Sequence, residues 1–236
     1  MQIEHSEFQD QLVGGLAHRM NNILTLFHGY LGLLLDNKKL DKTTLDGLAR
    51  IKEGAKAASE LMDRTNSLVR PPSVIWREVN LGDFVRMLRP AFDAIRSPRT
   101  EMVIECPDEL PAIWVDAARI KTAVLEIVRN ALEATANGGL VKIILSASSN
   151  APGNHATQPV QWVSLTVTDN GKGIPESAAE KIFQPFYTTK KKQSAAGLGL
   201  TVALGFVQQA GGVLRYESIP GHTAFHMTLP SRAETT

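Results

Sequence analysis

The sequence predicts an α+β protein in two parts, a helical hairpin followed by a sandwich with helices on one face of a mixed sheet. Three observations carry that expectation. Apolar residues recur at three- and four-residue steps through the first third of the chain, the period of an amphipathic helix. Arg70-Pro71-Pro72 then ends the pattern, because consecutive prolines cannot continue a helix. Beyond the prolines, strand-like runs segregate from helical ones, as in an α+β sandwich. The expected parts are 1–72 and 73–236.

In the first part, Phe8, Leu12, Leu16, Met20, Ile23, Phe27, Leu31 and Leu34 form one stripe on a long helix. The stretch "LDNKKLDKTT" interrupts it, and Thr43 with Asp46 three residues on has the form of a capping box. Leu45, Leu48, Ile51, Ala55, Ala58, Met62, Thr65 and Val69 continue as a second stripe of near-heptad spacing. Two helices bury little by themselves. The expectation is a homodimer in which two hairpins complete a four-helix bundle.

In the second part, "VIWREVNL" and "EMVIEC" read as strands, with a helix "GDFVRMLRPAFDAI" between them that Pro90 should kink or break. "DAARIKTAVLEIVRNALEATANGG" reads as a helix closed by Gly138-Gly139. "VKIILSAS" and "VQWVSLTVTD" alternate as a hairpin around the loop 148–159. A helix "GLGLTVALGFVQQAGG" and the strands "VLRYES" and "AFHMTLP" complete the sheet.

Composition removes several function classes. The 236 residues carry a formal charge of only +1, with Lys and Arg dispersed, so neither nucleic acid nor an anionic membrane is expected as partner. The single cysteine, Cys106, excludes an internal disulfide and a thiolate metal cluster and suits a reducing cytoplasm. The most apolar run, "ILTLFHGYLGLLL", is too short to span a bilayer. No basic segment with a cleavage site precedes it, so neither leader nor anchor is expected.

The chemistry lies in the turns. "TDNGKGIP" sets Asp169 at a strand end, followed by Gly171 and Gly173, which lets backbone approach a flat ligand beside a carboxylate. "AAGLGL" sets Gly197 and Gly199 at a helix start, where free N–H groups favour phosphate. Between them "IFQPFYTTKKKQSA" supplies Phe183, Phe186 and Tyr187, then Lys190, Lys191 and Lys192. Each glycine pair alone is commonplace; their order and spacing together are not. In "AHRMNNIL", His18 and Asn22 lie one helical turn apart and almost opposite the apolar stripe. Such a histidine is ordinarily a solvated surface residue, as His5, His28, His155, His222 and His226 are expected to be in surface or packing roles.

From Ile75 to Pro230 these motifs resemble the ATP-binding catalytic domain of sensor histidine kinases, in the GHKL (Bergerat) superfamily. "EIVRNALEA" is similar to the N box, "DNGKGI" to the first glycine box, "IFQPFYTTK" to the F box and "GLGL" to the second glycine box. "GGLAHRMNNIL" resembles an H box of the nitrogen-regulation type. The resemblance implies that Asp169 accepts the adenine amino group with Thr223 supporting it through water. It implies Mg²⁺ on Asn130, phosphate contacts from Gly197, Gly199 and Lys190, and a nucleotide pocket including Gly171, Gly173 and Phe183. His18 becomes the phosphoacceptor, and Asn22 positions the water that hydrolyses a partner's phospho-aspartate. The partner implied is the receiver domain of a response regulator.

Three positions depart from the family pattern. Arg19 stands where the family has a carboxylate to take up the histidine's proton, Glu126 opens the N box in place of Asn, and Ala195 replaces a lid glycine. A cation beside His18 keeps the ring neutral but cannot accept its second proton. General-base help is worth about 10²–10⁴-fold, so slow autophosphorylation is expected. Glu126 shares a helix face with Asn130 and is a candidate base in its own right. Two alternatives follow: an ATP-binding pseudokinase serving as response-regulator phosphatase, phosphotransfer adaptor or scaffold, and an ATPase that uses Glu126 on water.

Overall fold

The computed structural model describes residues 20–36, 40–69, 73–149, 161–189 and 197–231. The chain divides into two compact units, one drawn from residues before Val74 with the stretch 188–198, the other from the remainder.

The first unit contains two helices, α1 (20–35) and α2 (Lys42–Val69). Leu24 and Leu31, one heptad apart on α1, bury against Ala55 of α2, with Leu48, Ala58 and Met62 packed around them. The predicted stripe on α1 is therefore rotated. Ile23, Phe27 and Leu34 stay exposed, and with Leu26, Tyr30 and Leu33 they form a second apolar flank. Asn21 ties the helices together, donating to Asp63 Oδ1 at 2.9 Å. The expected capping box at Thr43 and Asp46 is not the one formed. Asp41 caps α2, accepting from Thr44 N at 2.9 Å and from Thr44 Oγ1 at 2.6 Å. An Asx cap needs an extended residue ahead of the first turn, and Thr43 already lies inside the helix.

The second unit is a five-stranded mixed sheet with helices packed on it. Its strands are β2 (Thr100–Glu105), β4 (Gly139–Ser148), β5 (Trp162–Asp169), β7 (His222–Pro230) and β6 (Val213–Ile219), in that spatial order. Only β2 and β4 pair in parallel; the other neighbours are antiparallel. The run "VIWREVNL" does form a strand, β1 (Trp76–Val79), but it lies outside this sheet. It pairs with β3 (Ile113–Asp116), a strand too short for periodicity to reveal. The helix expected across Pro90 breaks at Leu88 into α3 (Leu81–Met87) and α4 (Arg89–Ile95), with the proline in the first turn of α4.

The long helix α5 (Ala117–Ala134) positions the site. Asp116 caps it, accepting from Ala118 N at 2.9 Å and Arg119 N at 3.2 Å, and also from Ile75 N at 2.9 Å. Its buried face, Ile120, Ala123, Val124, Ile127, Val128 and Ala131, belongs to one continuous core with Val141, Ile143, Val163, Leu165, Val167, Phe225 and Met227 of the sheet. The helix ends at Thr135, four residues before the second glycine of the expected closing pair. Gly138 and Gly139 instead turn the chain into β4, both with positive φ. Two further helices, α6 (Glu176–Ala179) and α7 (Gly199–Gln209), follow β5.

Candidate nucleotide-binding site

Asp169 is the last residue of β5 and is 4% exposed. Gly171 N donates to its Oδ1 at 2.9 Å, while Oδ2 has no hydrogen bond among the described residues. Burial pushes the carboxyl above the ordinary aspartate value; the Gly171 N–H and the charge of His222 oppose that rise without cancelling it. Gly171 and Gly173 must stay glycine. A Cβ on Gly171 would lie 2.7 Å from Asp169 Oδ1 and 2.8 Å from Ala134 Cβ. Gly173 has φ +77° and a Cβ there would meet Ile219 O at 2.6 Å.

Cross-strand register extends the site sideways. Thr223 stands opposite Asp169 on β7, and Ser218 stands opposite Thr223 on β6. Ile174 N donates to Ser218 Oγ at 2.9 Å, and Ser218 Oγ lies 3.0 Å from Thr223 Oγ1. Asn170 joins strand ends, accepting from Leu140 N at 2.7 Å and donating its own N–H to Leu140 O at 3.2 Å. Neither Ser218 nor Asn170 was singled out by motif reading. Alternation along β6 opposite Thr223 was the signal that could have found Ser218.

Two residues along the strands, Val167, Phe225 and Tyr216 form the next row on the same face. Phe183 packs edge-on against Tyr216 at 5.9 Å, and Tyr216 stacks on Phe225 at 5.8 Å. Phe183 is thus a wall anchored to the core rather than a free contact residue. Its carbonyl accepts from Thr201 Oγ1 of α7 at 3.0 Å, which joins the F-box segment to the first turn of that helix. Phe186, by contrast, is 61% exposed and has φ +66°, the one non-glycine among the described residues in the left-handed region.

Asn130 and Glu126 lie one turn apart on α5, Asn130 half-buried and Glu126 buried. Glu126 Oε2 accepts from Arg129 Nη2. Arg129, which the sequence reading passed over, adjoins Asn130 in the N box and was visible as the one cation between two acids at helical spacing. Gly199 opens α7, and Gly197 precedes it with φ +67°. Asn22 is exposed on α1. His18, Arg19, Lys190 and Ala195 lie outside the described residues. Among the described residues no group of His, Cys, Asp and Glu is arranged to hold a metal, and no helix is long and apolar enough to cross a membrane.

A carboxylate, a glycine turn and a glycine-opened helix on one side of a mixed sheet define a nucleotide-binding sandwich. Residues 115–233, half of the chain, match the family described as histidine kinase-, DNA gyrase B-, and HSP90-like ATPase, and the chain belongs to that family. The match extends to the core of sensor histidine kinases. Sensor kinase CckA of Brucella abortus (strain 2308) is 29% identical over 229 residues, covering 95% of this chain and 24% of that protein. Sporulation kinase E of Bacillus subtilis (strain 168) is 25% identical over 227 residues, covering 94% of this chain and 28% of that protein. Full-length ShkA, solved in complex with AMPPNP, shares the fold with a TM-score of 0.73 at 21% identity, over 94% of this chain and 46% of that one. The chain spans about a quarter of the length of these curated relatives.

Proposed function

We propose that this chain is the ATP-dependent core of a two-component histidine kinase. In this reading residues 1–72 form the dimerisation and phosphotransfer hairpin, and 73–236 form the catalytic domain. The observation that carries it is Asp169, a buried carboxylate with one oxygen left for a ligand, in the setting of glycine turns that a side chain would close. Its Oδ2 accepts the adenine amino group. Thr223 holds its place through Ser218, and Phe183 walls the pocket. Gly197, Gly199 and Lys190 receive the phosphates. Asn130, half-buried on α5, would hold Mg²⁺, which would offset the charge of the phosphates.

His18 then attacks the terminal phosphorus. A nitrogen–phosphorus bond forms, the bond to the departing ADP breaks, and the ring becomes a cation until its other proton leaves. Arg19 cannot take that proton, so the step is slow. The phosphoryl group passes next to an aspartate of a response-regulator receiver domain, and in the opposing phosphatase activity Asn22 positions the water that hydrolyses that phospho-aspartate to aspartate and inorganic phosphate. The chain acts as a homodimer and works in the cytoplasm. A second reading, a phosphatase or scaffold that binds ATP without using it, is favoured by Arg19 alone. The hydrolytic reading with Glu126 as base loses ground, because Arg129 already engages that carboxylate.

The test is incubation with γ-labelled ATP and Mg²⁺, followed by acid or base treatment of the protein. Base-stable, acid-labile label that disappears in His18→Ala is expected. Label that survives acid, or none at all in the presence of tight ATP binding, overturns the kinase reading.

A further inference from the structure

Glu126 is a carboxylate with only 9% of its side chain exposed, on the face of α5 that meets α7. Arg129, one turn away, donates to it. Both pack against Gly199, the first residue of α7. A Cβ there would overlap the Glu126 carboxylate and approach Arg129 Nη2 to 3.3 Å. The first N–H groups of a helix have no partners within it and favour negative charge. Here the neighbour is already an anion, and it belongs to the protein. Arg129 is not fully used by the pairing. Its Nε is buried with no hydrogen-bond partner among the described residues, and Glu133 Oε1 is 4.0 Å away, too far for a hydrogen bond. A buried donor in that state gains when an acceptor reaches it.

We propose that the Glu126–Arg129 pair sets the affinity for the nucleotide's terminal phosphate. Without nucleotide, Glu126 occupies Arg129 and keeps a negative charge against the start of α7. A bound triphosphate draws Arg129 away from Glu126 and meets repulsion from the carboxylate it leaves. Glu126 is therefore a specificity-determining residue that weakens ATP, and no proton passes through it. This rests on the nucleotide reading of the Asp169 pocket.

The experiment measures dissociation constants of ATP, ADP and adenosine by calorimetry at fixed Mg²⁺ for wild type, Glu126→Gln, Arg129→Met, the double variant and Asp169→Asn. Removing one charge at this range changes affinity by about tenfold, the factor expected from Coulomb energies at a partly buried site. Glu126→Gln should tighten ATP by that factor, tighten ADP less and leave adenosine unchanged. Arg129→Met should weaken ATP, and the double variant should return close to wild type. Melting curves confirm folding; Glu126→Asn replaces Glu126→Gln, and Arg129→Leu replaces Arg129→Met, where either fails to fold. If wild type binds ATP, Asp169→Asn does not, and Glu126→Gln matches wild type, the proposal is overturned and the pocket stands. Loss of turnover in Glu126→Gln at unchanged affinity also overturns it, since Glu126 is then a base. If ATP binding is the same in wild type and Asp169→Asn, the pocket itself is wrong and this proposal falls with it.

Discussion

The two units of the chain are stabilised in different ways. The sandwich buries a continuous core in which Ile120, Ile127, Val141, Ile143, Leu165, Met227 and Leu229 are almost wholly removed from water. Within the hairpin only Leu24, Leu31 and Ala55 are buried among the described residues, and each keeps 5–9% of its surface exposed. Meanwhile Leu26, Tyr30 and Leu33 stay more than 60% exposed on α1. At about 1.5–3 kcal/mol per fully buried large side chain, such a core does little beyond offsetting the order of two helices. The sandwich has what it needs to fold by itself. The described part of the hairpin leaves an apolar flank exposed, and in the homodimer proposed above a second copy covers it with a surface of matching chemistry.

The largest effect should come from the sandwich. Asp169→Asn should lower ATP affinity by more than about a hundredfold, because an acceptor facing the ligand becomes in part a donor. It should also make the nucleotide-free protein more stable at neutral pH. The sign follows from the raised pKa: protonation of Asp169 is easier folded than unfolded. Its ionised form therefore costs stability at neutral pH, and the gain from Asn should fade as pH falls through the raised folded value and be gone below about pH 3.8. Melting curves from pH 3 to 8 test this. A variant that loses ATP and is also less stable at pH 7 would show that Asp169 is structural.

Next in size is the hairpin. Leu26→Asp with Leu33→Asp should raise the dissociation constant of the proposed dimer by at least about a hundredfold, as two leucines of the face it would cover become charged. Light scattering reads it. Melting of the wild-type hairpin should rise with protein concentration and that of the sandwich should not. A monomeric wild type at micromolar concentration would break the contrast between the units.

Arg19→Glu tests the proton acceptor. It should raise phosphohistidine formation at least about tenfold, a cautious part of the range for general-base help, and His18→Ala should remove it. Asp116→Ala should then destabilise the sandwich by about 2 kcal/mol, through loss of the α5 cap and of a partner for buried Arg119. Burial tends to raise the Asp116 carboxyl, but hydrogen bonds from Ile75, Arg119 and Ala118 and the Arg119 charge outweigh it and hold it low. Its contribution is accordingly present above about pH 3.8 and lost as pH falls further.

Much of this was legible in the sequence because it depends on local pattern. Helices α5 and α7 and strands β4, β5 and β7 follow from periodicity, and Asp169 with its glycines follows from turn chemistry. What escaped depends on who faces whom. β3 has four residues and is fixed by β1, not by its own period. The stripe on α1 has several apolar faces to choose from, and only the partner helix selects Leu24 over Ile23 and Phe27. The Arg129–Glu126 pair is local to α5 and legible from spacing, but their approach to Gly199 exists only once α5 and α7 are packed.

The smallest effect concerns the start of α2, where two candidate caps compete. A capping box at Thr43 requires its hydroxyl to receive the N–H three residues on. The structure instead gives Asp41 both the Thr44 N–H and the Thr44 hydroxyl. Those two bonds, the hydroxyl's first, hold the Asp41 carboxyl below its ordinary value. Asp41 is fully exposed, so water competes with both bonds and screens the charge against the helix. The consequence should be local. Asp41→Ala should speed hydrogen exchange of the first-turn amides of α2 at neutral pH, with Thr44 N–H most affected, while Thr43→Ala should leave them unchanged. The sign with pH is that of a lowered carboxyl: the protection from Asp41 should be complete above about pH 3.8 and disappear as acid protonates it. Equal loss of protection in Thr43→Ala would mean that the helix starts two residues later in solution and that the sequence-level capping box is the one in use.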